Sequence, residues 1–291
     1  MRFSLTTFLL ALTIAAQAQT KDSIDTAQFT AVYDYRVNTF NDEGTAVCDS
    51  IQIVVQTGKT VTKSMPLSQY LNQEKKALDE HDWEKIVKMG HNEALTHMPT
   101  IWINHPEGET TSRDIIFPYK CEGYEPTPQM EWTLKGDTMH INGYLCHSAE
   151  TNFRGVDWEV WYTEEIPSST GPWRLRGLPG LIVKARGDAH TFVLNDVRHE
   201  SKAITYSPSV DFERMKHSKL QKYRKQVFGS KLYPKNPMHH ISDNFSNNNI
   251  VSINKYITHL TVIDLGGGNQ LIEANNLPLL LNGHVYQPLE K

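Results

Sequence analysis

The chain has 291 residues, 39% of them hydrophobic and 10% aromatic, which supplies a folded core and excludes a disordered tail. The formal net charge of −4 excludes the broad basic face that a nucleic-acid partner requires. No internal repeat or linker composition divides the sequence, so one domain is expected.

The N-terminus reads as a secretory signal peptide. Met1-Arg2 is a minimal positive start, Phe3 to Ala15 is an apolar run, and Ala16-Gln17-Ala18 is a small-x-small cleavage site. The expected organisation is therefore a signal peptide over 1–18 and a single β-rich domain over 19–291. The apolar run is shorter than the ~20 residues of a membrane-spanning helix. Later apolar stretches are shorter still, and Leu277 to Leu281 contains Pro278. A mature protein that is exported to the periplasm or medium, and not integral to a membrane, is the expectation.

Phe29 to Phe40 places Phe29, Ala31, Tyr33, Tyr35 and Val37 on one face, the period-two pattern of a half-buried strand. Cys48 to Val55 and a short run at Thr60 to Lys63 continue an antiparallel meander. Ser68 to Met89 lacks Gly and Pro and carries Leu71, Leu78, Ile86 and Met89, which predicts a helix capped by Ser68. Strands follow at Ile101 to Ile103, Asp114 to Phe117 and Met130 to Leu134, with Lys135-Gly136-Asp137 as a turn. Tyr144 to Asn152 and Trp158 to Thr163 flank an Arg154-Gly155 turn. Leu181 to Ala185 and Thr191 to Leu194 form a hairpin. Asp211 to Phe228 reads as a basic amphipathic helix, Asp243 to Asn249 as a polar loop, and Ile250 to Leu265 as one more strand or short helix. The fold class is mainly β with a few helices: a curved antiparallel sheet or half-barrel.

Chemistry-bearing motifs are sparse. The three cysteines, Cys48, Cys121 and Cys146, lack metal-ligand spacing. In an oxidising compartment they allow three single pairs. Cys121 with Cys146 is favoured because both lie in strand-like segments joined by a turn-rich link; buried, unpaired thiols are the alternative. Of 13 histidines, His239-His240 is the one close cluster, and no third ligand accompanies it. Gly266-Gly267-Gly268 lacks a phosphate-loop lysine, and there is no Gly-x-Ser-x-Gly elbow. Glu164-Glu165 are neighbours that point to opposite faces of a strand. No catalytic residue, metal or cofactor is assigned. The aromatics are the stronger signal: Trp158, Trp161 and Trp173 are candidate ligand-binding residues, with core filling as the competing role.

The stretch Gly171 to Ile182 holds three glycines and two prolines between strand-like runs. Gly177, Leu178, Pro179 and Gly180 are expected to form a structural turn. Leu178-Pro179-Gly180-Leu181 has type II chemistry, with Pro179 presetting φ and Gly180 supplying a positive φ.

Gly177-Leu178-Pro179-Gly180-Leu181-Ile182 resembles the name-giving hexapeptide of the GLPGLI family, exported proteins of Bacteroidetes-type bacteria. Ile141 to Cys146 resembles that family's Gly-Tyr-x-Cys element. Phe153-Arg154-Gly155 and Val160 to Pro167 resemble the run that leads into Gly-Pro-Trp. Gln287-Pro288-Leu289-Glu290 is similar to its Asn-Pro-hydrophobic-Glu tail, with Gln287 in place of Asn. Arg174-Leu175-Arg176 departs from the commoner Lys-Phe pattern. The resemblance implies export and an uncharacterised family, and no activity. A fold-level likeness to half-barrel lipoprotein carriers adds an apolar ligand as an expectation. The leading functional expectation is a non-enzymatic periplasmic binding or accessory protein for a lipid or hydrophobic segment. An envelope protein–protein interaction module without a small ligand and a hydrolase with a site hidden from sequence are the alternatives.

Overall fold

The computed structural model describes residues 23–40, 44–73, 98–116, 119–228, 260–264, 270–274 and 288–291. Strands dominate. In chain order they are β1 (Ser23–Thr26), β2 (Phe29–Phe40), β3 (Ala46–Thr57), β4 (Thr62–Pro66), β5 (Thr100–Ile103), β6 (Glu109–Ile116), β7 (Tyr119–Pro126) and β8 (Thr133–Ile141). They continue as β9 (Tyr144–Phe153), β10 (Val156–Thr163), β11 (Leu181–Gly187), β12 (His190–Arg198), β13 (Ala203–Thr205), β14 (Glu213–Lys216), β15 (Leu260–Asp264) and β16 (Gln270–Ala274). Among the described residues two helices accompany them, α1 (Leu67–Gln73) and α2 (His217–Phe228).

Twelve strands form one open, mixed sheet in the order β14-β7-β6-β5-β4-β3-β2-β12-β11-β10-β9-β8. It is two meanders joined back to back. One runs outward from β2 to β7; the other returns from the far edge at β8 and docks β12 against β2. β14 adds a parallel strand beside β7. β1 pairs with β13, and β15 with β16, as separate two-stranded sheets.

β2 lies at the junction, and its sequence explains why it can. Phe29, Ala31, Tyr33, Tyr35 and Val37 point into the main apolar cluster, as their alternation predicts. Val32, on the opposite face, packs with Val54, Met65 and Tyr70 beneath α1. The two buried phenols are satisfied: Tyr33 donates to the Ile182 carbonyl at 2.7 Å, and the Tyr35 hydroxyl meets His190 Nδ1 at 2.8 Å.

Most of the expected strands are present, and several boundaries move for tertiary reasons; of the strand expected at Met130 to Leu134 only Thr133 and Leu134 belong to β8. Lys135-Gly136-Asp137 is no turn: β8 runs through it, and the register with β9 shifts between Leu134 and Thr138, so its flexible residues form a bulge. The helix expected over Asp211 to Phe228 begins at His217, because Glu213 to Lys216 pair with β7 instead. The helix expected over Ser68 to Met89 is seen at Leu67–Gln73; residues 74–89 lie outside the described residues. So do Asp243 to Asn249, His239-His240 and Gly266 to Gly268. Arg154-Gly155 is a tight turn with φ of 55° and 79°, and Asn142-Gly143 repeats it at 51° and 88°. These paired positive values match the right-handed twist of hairpin strands.

The segment between β10 and β11 is more than a corner. Thr163 pairs with Leu181, so residues 164–180 leave the ladder and rejoin it where they left. In between, Trp173, Leu175 and Leu178 are buried in the main cluster and fill it from inside. The expected positive φ at Gly180 is absent; it falls on Gly177 at 98° and on Trp173 at 57°. Gly180 is required for a different reason. A Cβ there would lie 2.0 Å from the Thr163 carbonyl oxygen, so only a bare backbone permits the segment to close.

The expected Cys121–Cys146 pairing is corrected. All three thiols are free. Cys121 packs with Ile116, Met215 and Leu220, whereas Cys146 belongs to the main cluster. The two strands that looked like neighbours in sequence lie near opposite edges of the sheet. Burial pushes both thiols up to about 11, with carboxylate neighbours adding to the effect, so neither is reactive in the fold.

Two measurements check this architecture. Gly180→Ala should cost about 3 kcal/mol in urea unfolding, as overpacking against backbone does. Gly136→Ala, in open space, should cost far less. Thiol titration of unreduced protein should label Cys48 alone in the native state and all three cysteines in denaturant.

Candidate functional site

Eight ladder steps separate β7 from β10, about 38 Å in a flat sheet at ~4.8 Å per step. Yet Arg154, in the turn between β9 and β10, is ion-paired to Glu125 of β7 at 2.5 Å. The sheet therefore wraps round until its two halves meet, without a closing ladder among the described residues. The seam is held by charges.

Five residues from five places make the seam. Glu125 is near the end of β7. Arg154 is in the β9–β10 turn. Arg174 follows Trp173 in the 164–180 segment, and His217 opens α2. Glu290 comes from the segment 288–291. Arg174 Nη1 lies 2.7 Å from Glu125 Oε1, and Arg154 Nη1 lies 2.6 Å from Glu290 Oε2. His217 Nε2 is 2.8 Å from Glu290 Oε2, and its Nδ1 is 3.4 Å from Arg174 Nη2. Because guanidinium only donates, Nδ1 accepts and Nε2 carries the proton given to Glu290. Arg174 Nε stands 3.4 Å from Glu290 Oε1, close enough to attract but without hydrogen-bond geometry. A second pair, Arg224 Nη1 with Asp114 Oδ2 at 2.6 Å, lies alongside.

Burial sets the protonation states. It alone would raise the Glu290 carboxyl, but His217, Arg174 and Arg154 hold it far below the usual carboxylate range. Burial depresses His217, more than the Glu290 hydrogen bond raises it, so the imidazole is neutral. Burial also lowers Arg174, against the pull of Glu290 and Glu125. Two carboxylates and two guanidiniums thus balance around a neutral ring. Beside them, a cavity of about 10 Å³ lies among Ser112, Arg174, His217, Gln221, Arg224 and Glu290. That is the scale of a single water.

His190 secures the same strand of chain from the other side. Its Nε2 donates to the Pro288 carbonyl at 3.2 Å, while Nδ1 accepts from Tyr35. Burial lowers it to about 4. Leu289, between these two anchors, enters the main cluster.

The tryptophans divide as their offsets imply. Trp158 and Trp173 are 1% exposed, with ring centroids 5.8 Å apart, and they fill the core. Gly187 pairs opposite Trp158 and leaves room for the indole to lie across the strand. Trp161 is half-buried on the other side of β10. The three do not converge on one pocket. Gly177, Leu178, Pro179 and Gly180 shape the segment that delivers Arg174. Glu164 and Glu165 lie in the turn after β10, and Glu165 Oε1 accepts from the Leu145 amide at 2.8 Å. Among the described residues no group of three His, Cys, Asp or Glu side chains is arranged to hold a metal ion. Sequence reasoning missed Glu125 and His217 altogether. It quoted Arg154, Arg174 and Glu290 as motif residues without joining them.

The fold and seam define an open, mainly β protein whose sheet is stapled by partly buried ions. Among known families, residues 150–184 match a model described as a protein of unknown function, Porph_ging. That stretch runs from β9 into β11 and carries both Arg154 and Arg174. No curated protein matches the chain. Among solved structures, PNGF-II is similar over 68% of this chain at 16% identity, with TM-scores of 0.43 and, in a second crystal form at 15% identity over 66%, 0.40. This chain covers only 33% and 32% of the PNGF-II chains in those two forms. A DUF1329 family protein from Desulfovibrio piger is similar over 66% of this chain and 91% of its own, at 8% identity and a TM-score of 0.21.

A pH titration checks the state of His190. The unfolded chain binds a proton near pH 6.5 that the fold refuses until about pH 4. Stability is therefore full above pH 6.5 and falls as the pH drops toward 4. Urea unfolding should show a loss of about 2 kcal/mol between pH 7 and pH 5. His190→Gln should flatten that slope; an unchanged slope would mean the ring is charged or solvated.

Proposed function

We propose that this protein is an exported, non-catalytic interaction module of the cell envelope, which presents the free edge of β8 to an extended segment of a protein partner. The observation that carries this reading is the edge itself. Among the described residues β8 has a ladder partner on one side only, and all its residues but the last, Ile141, are exposed. Such an edge offers a row of unpaired backbone donors and acceptors. Leu134 is 59% exposed, and Met139 and Leu145 are each 41% exposed along the same hairpin. Leu134 pairs with the buried Ala149, so the apolar face of the sheet runs out to the edge uncovered. A partner strand with aliphatic residues at alternate positions would complete both the ladder and that face.

The lipid-carrier expectation draws no support from the interior. A carrier needs an apolar cavity of several hundred Å³. Here Trp158, Trp173, Leu175 and Leu178 occupy the interior. A hydrolase built on His217 and Glu290 would need Nδ1 to face a hydroxyl, and it faces Arg174.

The test uses the protein in its own cells. A photo-crosslinking residue at Met139 should give one discrete protein adduct, and one at Glu159, exposed on the sheet face, should give none. Adducts at both positions or at neither would overturn the edge reading. The recovered protein should begin at Gln19; an intact leader in the cytoplasmic fraction would overturn export.

A further inference from the structure

The segment Pro288–Lys291 is held as a ligand is held. It lies outside the strand ladders and meets the rest of the fold through alternating backbone and side-chain contacts. The Pro288 carbonyl accepts from His190, the Leu289 side chain fills an apolar hole, and the Glu290 carboxylate receives Arg154 and His217. The Lys291 amide then donates to the Arg154 carbonyl at 2.9 Å, and its ammonium reaches Asp188 at 2.6 Å.

The groups that receive it are positioned by bonds in which it takes no part. Arg154 and Arg174 are both fixed on Glu125. His190 is oriented by Tyr35. Arg154 keeps a φ of 55°, a conformation costly for a residue with a side chain, which sets its guanidinium and its carbonyl toward the same visitor. A preorganised slot with one apolar pocket and one multiply donated carboxylate pocket is how peptide sites obtain both affinity and specificity.

We infer that His190, Arg154, Arg174 and His217 line a peptide-binding slot for an aliphatic–acidic pair, filled in cis by Leu289-Glu290 and open to the same pair from a second copy of the chain. Exchange between copies would trade identical contacts, so nothing is lost but the tether. The tether gives the cis segment an effective concentration on the order of millimolar. A competitor in trans therefore binds measurably once the cis occupant is weakened. This inference is independent of the β8 edge.

The experiment uses the full chain carrying Leu289→Asp, which drives the cis segment from its apolar pocket. A fluorescent peptide with the sequence Tyr286 to Lys291 is titrated against it and followed by polarisation. Saturable binding is expected, at least ten-fold weaker for the same peptide with Glu290→Gln, together with a rise in Tm for the native peptide only. If the variant is unfolded alone, refolding is read by circular dichroism, and recovery only with the native peptide supports the slot. Equal behaviour of the two peptides, or no binding and no recovery, overturns it. For the second-copy occupant, Leu289→Asp is mixed with an Arg154→Met chain, which keeps a good segment but lacks a good slot. A 1:1 heterodimer on size exclusion supports exchange, and two monomers overturn it.

Discussion

The structure depends on how an open sheet brings its two halves together. A closed barrel solves this with a ladder, and every edge vanishes. Here the wrap stops short, and a quartet of alternating charges spans the gap, Arg174 and Glu290 buried and Glu125 and Arg154 partly exposed. Such an arrangement is a specificity device more than a source of stability. Desolvating Arg174 and Glu290 consumes much of their attraction to their partners, while removing a partner of either leaves a buried ion undercompensated. The seam thus has one register, in which Glu125 meets both arginines and Glu290 meets Arg154 and His217.

The 164–180 segment serves the same end. Its aromatic and aliphatic residues occupy the interior that a half-closed sheet would otherwise leave hollow, and its arginine emerges at the seam. The positive φ of Trp173 turns the chain so that successive residues point to these two destinations. One stretch therefore both fills the core and closes it. Its glycines answer different needs: Gly177 supplies a backbone conformation, and Gly180 supplies absence of bulk.

Much of the fold was legible because it is local. The alternation of β2, the hairpins at Arg154-Gly155 and β11–β12, and the dominance of strands follow from periodicity and turn chemistry read over a few residues. What was illegible depends on distance along the chain. Glu290 reaches back 136 residues to Arg154, and Arg174 reaches 49 residues to Glu125. No spacing rule encodes that. β14 shows the same limit, where a locally helical pattern yields to pairing with the distant β7. The cysteines misled for a related reason, since proximity in sequence order does not survive a meander that turns outward and returns. The exposed edge strand β8 was masked by Lys135-Gly136-Asp137, whose turn-like composition hid a bulged strand.

The position of Glu290 also imposes an order on folding. A ribosome delivers the chain from its N-terminus, so every other member of the seam exists before Glu290 does. Until it arrives, Arg154 and Arg174 share a single carboxylate, and His217 has no acceptor among the seam carboxylates within hydrogen-bond reach. The two meanders can form their hairpins early, since those contacts are near in sequence. The seam's final contacts have to wait for synthesis to reach Glu290, so the seam of a nascent chain stays incomplete until then.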